Sequence, residues 1–96
     1  MAMIIYGRTV CSICSEVLNI EDSIIITSHF ISDKNDPLWP YSDSGMHKEC
    51  FLAWSQRQEF IKRFNQIVGK QKYPDGGYRR MGDDGTIEVV YVLLSH

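Results

Sequence analysis

Cysteine is scarce in this chain, which has three, at positions 11, 14 and 50. An odd number cannot close a complete set of disulfides, so the thiols need another purpose. Long apolar runs are also missing. The longest, VVYVLL at 89–94, is far short of the roughly 20 residues of a membrane helix. The opening MAMIIYGRT lacks the basic start, apolar core and cleavage site of a signal peptide. The expectation is therefore a soluble, cytoplasmic protein without membrane contact, in a compartment that keeps thiols reduced. No P-loop, nucleophile elbow or dinucleotide fingerprint occurs, and no internal repeat or low-complexity tract.

What is present fits one small domain, 1–96. Hydrophobic residues at 44% and charged residues at 23% argue for a folded chain rather than a disordered one. With 96 residues, such a chain buries only about two thirds of the surface its unfolded form exposes, so a covalent or metal staple would help it. The formal net charge of −2 hides a basic segment over 57–80, where Arg57, Lys62, Arg63, Lys70, Lys72, Arg79 and Arg80 face only Glu59 and Asp75.

The residue pattern predicts an α+β fold. MIIYGR reads as a short strand leading into TVCSICSE, whose small residues suit a tight turn. Ile24, Ile25, Ile26, Phe30 and Ile31 give a strand or the arms of a hairpin, and the proline-bearing stretch DKNDPLWPYSDSG is a loop. Over 46–68 the spacing of His47, Cys50, Phe51, Trp54, Ile61, Phe64 and Val68 predicts one helix, with Ser42, Asp43 and Ser44 as N-cap choices and Gly69 as its stop. The remainder, 69–96, reads as a turn-rich linker and a β-hairpin connected around Gly82 and Gly85.

The chemistry-bearing pattern is C-x2-C, then 32 residues, then H-x2-C: Cys11, Cys14, His47 and Cys50. Three thiolates and an imidazole suit one structural Zn2+ ion, which takes a closed tetrahedral shell of sulfur and nitrogen. A sharp turn aims the first pair at one point, and residues three apart on a helix share a face. The helix dipole would further favour the thiolate there. Buried core cysteines or a redox pair are the alternatives, and the redox pair would lack its usual βαβ setting and leave H-x2-C unexplained.

A C-x2-C knuckle, a β-hairpin and a helix carrying the second ligand pair resemble the treble-clef zinc fingers, over about 8–68. The HKECF stretch is similar to the H-x-x-C-F pattern of LIM-type modules. The longer gap and the single ligand set separate this chain from LIM domains. The same frame underlies the HNH endonucleases, and that resemblance would make His29 a general base for water beside a catalytic divalent ion. However, Ser28 stands where that family has Asp, and Phe51, Leu52 and Ala53 follow the last ligands where it has His or Asn. The expectation is no enzyme, with a degenerate HNH-like nuclease as the third reading.

The leading expectation is a protein-binding module: a small adaptor, regulator or inhibitor, including an immunity-type protein. Leu38, Trp39 and Tyr41 form an apolar group among prolines, suited either to anchor a partner or to pack on the helix with Trp39 near Trp54. The second reading is a nucleic-acid-binding regulator using Arg57, Arg63, Arg79 and Arg80. The apolar strand in TIEVVYVLL also offers an edge for strand addition or a homodimer.

Overall fold

The computed structural model describes residues 4–91 and shows a mixed α+β chain. Its first feature is a tight hairpin turn in which Val10 bridges Val17 and the Cys11 N–H donates to the Glu16 carbonyl at 2.8 Å. Ser15 closes that turn with φ of 67°, a left-handed conformation that is uncommon outside glycine.

Two three-residue strands follow, β1 (Ile24–Ile26) and β2 (Gly45–His47), paired antiparallel with Ile25 opposite Met46. The turn is tied to this ribbon by the Ser12 N–H, which donates to the Gly45 carbonyl at 3.1 Å. Gly45 sits where a Cβ would lie 2.7 Å from Ile4 Cδ1 and 2.9 Å from Leu18 Cδ1. A larger residue there would require the Ile4 and Leu18 side chains to move aside.

The strand expected through Ile31 stops at Ile26, and residues 27–44 form a long loop that is closed by its own polar groups. Buried Ser42 accepts the Phe30 and Ile31 N–H groups at 2.8 and 3.1 Å, and Ser44 Oγ donates to the Tyr41 carbonyl at 2.6 Å. These serines satisfy loop backbone, so they do not cap a helix as expected. One 3₁₀ turn, Trp39–Tyr41, lies within the loop. Asp36 fixes it to the helical layer through Arg63, and the Leu38 N–H and Arg63 hold the Asp36 carboxyl below its ordinary range.

The single helix expected over 46–68 is divided. Residues 45–47 are strand, α1 spans Lys48–Leu52, and after a break at 53–56 α2 spans Arg57–Ile67. Gly69 lies inside a 3₁₀ turn, Val68–Lys70, rather than ending the helix. The apolar spacing survives the break because both helices pack on one core. Phe60, Ile61, Phe64 and Val68 are buried along one stripe, and the Phe30 ring meets Phe60 and Phe64 edge-on, each at 5.3 Å. Phe51, Leu18 and Met46, all fully buried, complete the centre.

The expected C-terminal hairpin forms from β3 (Tyr78–Met81) and β4 (Ile87–Val90), with residues 92–94 of the expected strand outside the described residues. The Gly82 N–H donates to the Thr86 carbonyl at 2.8 Å, so by antiparallel alternation the backbone groups of Met81 and Ile87 turn outward. On the β3 side Asn65 of α2 takes both: its Oδ1 accepts the Met81 N–H at 2.8 Å and its Nδ2 donates to the Met81 carbonyl at 3.2 Å. On the β4 side the outward groups of Ile87 and Val89 have no partner among the described residues.

The hairpin tip docks back on the core. Gly85, with φ of +86°, is buried where a Cβ would lie 3.1 Å from Phe51 Cε2, too close for any side chain without movement. Gln58 donates to Asp83 at 2.8 Å, and Lys48 lies 3.8 Å from Asp84.

Candidate metal centre

The N-terminal turn and the β2–α1 junction bring Cys11, Cys14, His47 and Cys50 together, with all four donor atoms within 4.8 Å of one another. His47 is the last residue of β2 and the residue capping α1, and Cys50 follows one turn into α1. His47 Nδ1 lies 3.4 Å from Cys14 Sγ and 3.8 Å from Cys50 Sγ. A tetrahedral shell with bonds of about 2.0 Å to nitrogen and 2.3 Å to sulfur needs ligand edges of about 3.5–3.8 Å. The two edges from His47 match that shell, and the other donor pairs, none wider than 4.8 Å, need to close by at most about 1 Å to hold one metal ion.

The sulfurs are prepared for negative charge by backbone donors. Ile13 and His47 N–H groups each donate to Cys11 Sγ at 3.4 Å, and the Glu16 N–H donates to Cys14 Sγ at 3.4 Å. Burial opposes ionisation of Cys11, yet the amides of Cys14, His47 and Ile13 outweigh it and bring the thiol down to about 7. Cys50 goes the other way. Burial, then its hydrogen bond to Cys14 and the charge on Cys11 and Cys14, push it up to about 12. In the metal-free fold burial and the neighbouring sulfurs therefore outweigh whatever the five-residue helix α1 contributes toward a thiolate at Cys50. A divalent cation at the centre reverses this order, because coordination deprotonates a thiol outright.

Sequence reasoning missed Asp22. Its Oδ2 lies 3.2 Å from His47 Nε2 and also accepts the Asn19 N–H at 2.8 Å. A carboxylate only accepts, so Nε2 keeps its proton, and once Nδ1 has given up its own the lone pair there faces the sulfurs. In the sequence Asp22 looks like a turn residue in NIED. Only the tertiary contact gives it this role.

The other singled-out residues lie elsewhere. His29 is exposed in the long loop. Leu38 is buried, and Trp39 and Tyr41 are half-buried against the core; Tyr41, not Trp39, meets Trp54, with ring centres 4.6 Å apart. Arg57 lies 3.9 Å from Asp83, Arg63 pairs with Asp36 and Glu59, and Arg79 lies 3.2 Å from Asp75, whereas Arg80 is exposed and unpaired among the described residues. No described helix is long and apolar enough to cross a membrane. The chain matches no model of a known protein family, no curated protein and no solved structure.

Proposed function

We propose that this chain is a zinc-stabilised module of treble-clef type that acts by binding a protein partner, as a small adaptor, regulator or inhibitor, and not by chemistry. The observation that carries this reading is the closed donor set. Around one ion, three sulfurs and one oriented imidazole nitrogen would complete a tetrahedral shell, with no position left for substrate or catalytic water. The order of turn, two-stranded ribbon and ligand-bearing helix supports the treble-clef assignment.

Protein binding is favoured by the C-terminal hairpin. Ile87, Val89, Val90 and Tyr91 are all exposed, and the outer edge of β4 presents unpaired backbone groups. Such an edge takes an added strand from another chain. The basic segment gives less support to nucleic acid, since Arg57, Arg63 and Arg79 are each engaged by carboxylates.

Elemental analysis of the purified chain should give one zinc per molecule, lost in Cys11→Ser. Affinity capture of the tagged chain from its own cells, after nuclease treatment, should retain a defined protein that Val89→Lys releases. Enrichment that vanishes with the nucleic acid would overturn the protein-binding reading, and a chain that holds no metal would overturn the zinc module.

A further inference from the structure

The ribbon of β1 and β2 has two outer edges, and only one is covered. The Thr27 N–H donates to the Ser44 carbonyl at 3.0 Å, and the Lys48 N–H donates to the Ser23 carbonyl at 2.9 Å. Ser23 with Lys48, Ile25 with Met46 and Thr27 with Ser44 are therefore the pairs that share ladder bonds. By alternation the backbone groups of Gly45 and His47 point out of β2, and those of Ile24 and Ile26 point out of β1. On the β2 side the cysteine turn takes them: the Gly45 carbonyl accepts from the Ser12 N–H, and the His47 N–H donates to Cys11 Sγ. On the β1 side the N–H and carbonyl groups of Ile24 and Ile26 have no partner among the described residues.

That free edge runs beside an open hollow of about 450 Å³ between β1 and the hairpin tip, lined along the strand by Ile24, Ile25 and Ile26 and on the other side by Thr86 and Ile87. Ile26 and Ile87 are exposed. The charged side chains lining it, Lys48 and Asp84, lie 3.8 Å apart and offset each other. Beyond Ser23 the surface turns acidic, because Glu21, Asp22 and Glu49 line the adjoining hollow with Lys48. Asp22 is engaged by His47 and the Asn19 N–H. Glu21 and Glu49 are exposed and have no ion pair among the described residues. One end of the open edge is thus apolar and the other carries two unbalanced carboxylates.

We infer that the free edge of β1 takes an extended segment of a partner protein as a third strand, with apolar residues in the hollow and a lysine or arginine at the end beside Ser23. Ile24 and Ile26 offer two N–H donors and two carbonyl acceptors in a line, and an extended backbone is what satisfies such a row. Its apolar side chains cover Ile26 and Ile87, and its basic side chain meets Glu21 and Glu49. The edge is short, so the charge at its end decides which strands are accepted, and an acidic segment is repelled. The inference rests on the protein-binding reading and gives the partner an edge and a sequence chemistry distinct from those of β4.

The test is a titration of the full metal-loaded chain, followed by backbone amide shifts, with three capped peptides. The first alternates threonine and valine and ends in two arginines, the second ends in two glutamates instead, and the third is the first with its threonine and valine nitrogens methylated. The arginine peptide should bind with shifts centred on residues 23–26 and 86–87 and slow the exchange of the Ile24 and Ile26 amides. The glutamate peptide should bind about tenfold more weakly, the size that two exposed ion pairs reach, and the methylated one should not bind. Glu21→Gln combined with Glu49→Gln should lower affinity for the arginine peptide by about the same factor with the remaining spectrum in place. Ile26→Pro removes an outward N–H but no ladder bond, and should abolish binding. Val89→Lys should leave it unchanged. Absence of binding, equal affinity for the arginine and glutamate peptides, binding of the methylated peptide, or loss of binding in Val89→Lys would each overturn the site on β1. A cellular protein still retained by the tagged chain in those cases keeps the protein-binding reading, whereas peptide binding as expected with no protein retained would overturn that reading and leave the edge site standing.

Discussion

His47 is held at both ring nitrogens, by Cys14 and Cys50 on one side and by Asp22 on the other. Removing the partner that orients a ligating histidine usually lowers metal affinity about 10–100-fold. Asp22→Ala should therefore bind zinc more weakly by that factor, measured by competition with a chromophoric chelator, while keeping its far-ultraviolet spectrum. Acidity should act on the same equilibrium. Burial alone would lower the His47 pKa, but the hydrogen bonds and charges of Cys14 and Cys11 raise it to about 9 in the metal-free fold, and Cys50 stays protonated to about 12. Near neutral pH both must give up a proton to bind the ion, so affinity should rise from pH 6.5 to 8.5, by roughly a hundredfold per unit for two protons released, and more steeply below pH 7, where the Cys11 thiol at about 7 also has to ionise. A flat profile would mean that His47 and Cys50 are not both ligands. The ligands were legible in the sequence because thiolate and imidazole spacing is local. Asp22 was not, because the contact that defines it joins a turn to a strand end 25 residues away.

At the scale of elements, the periodic positions from His47 to Val68 were legible, but the break between α1 and α2 was not. No glycine or proline marks residues 53–56, and the apolar spacing continues across them because the two helices share Phe60 and Phe51, whose ring centres are 6.2 Å apart. What the hairpin docks against was equally hidden. Its strands and turn follow from alternation and glycine, but its attachment depends on Asn65, a polar residue with no local signature, and on a glycine chosen for closeness as well as for the turn. Asn65→Ala should leave both Met81 backbone groups without partners. The cost should be about 1–3 kcal/mol in urea unfolding, with faster amide exchange over 78–90. Gly85→Ala combines a left-handed backbone with contact against Ile25 and Phe51, and should cost about 2–4 kcal/mol. A variant as stable as the parent would show that the tip does not pack where the structure places it.

For the molecule as a whole, α2 is the common support. Arg63 holds the long loop through Asp36, Asn65 holds the hairpin, and the buried stripe between them meets the core beside Cys50 and Phe51. The metal centre is thus not an appendage. On the zinc reading, a structural ion contributes about 10–16 kcal/mol to a folded site, while small domains have only about 5–15 kcal/mol of total stability. Chelation should therefore unfold the whole described chain in one step, with the fluorescence of Trp39 and Trp54 changing together with the helical circular dichroism signal. A surviving hairpin signal after metal removal would show two independent parts. The basic segment shows the limit of linear reading at this scale. In the sequence Glu59 stands three and four residues from Lys62 and Arg63, a local relation, whereas Asp36 and Asp83 reach α2 from the loop and the hairpin tip.

The four donors also differ in their access to solvent: Cys11 is fully buried, whereas Cys14 is exposed. A chelator, a competing ion or an oxidant therefore approaches from one side and meets the same sulfur first. On the zinc reading, the lifetime of the bound ion would then be set by how often Cys14 lets go, with the inner sulfur the last to be lost.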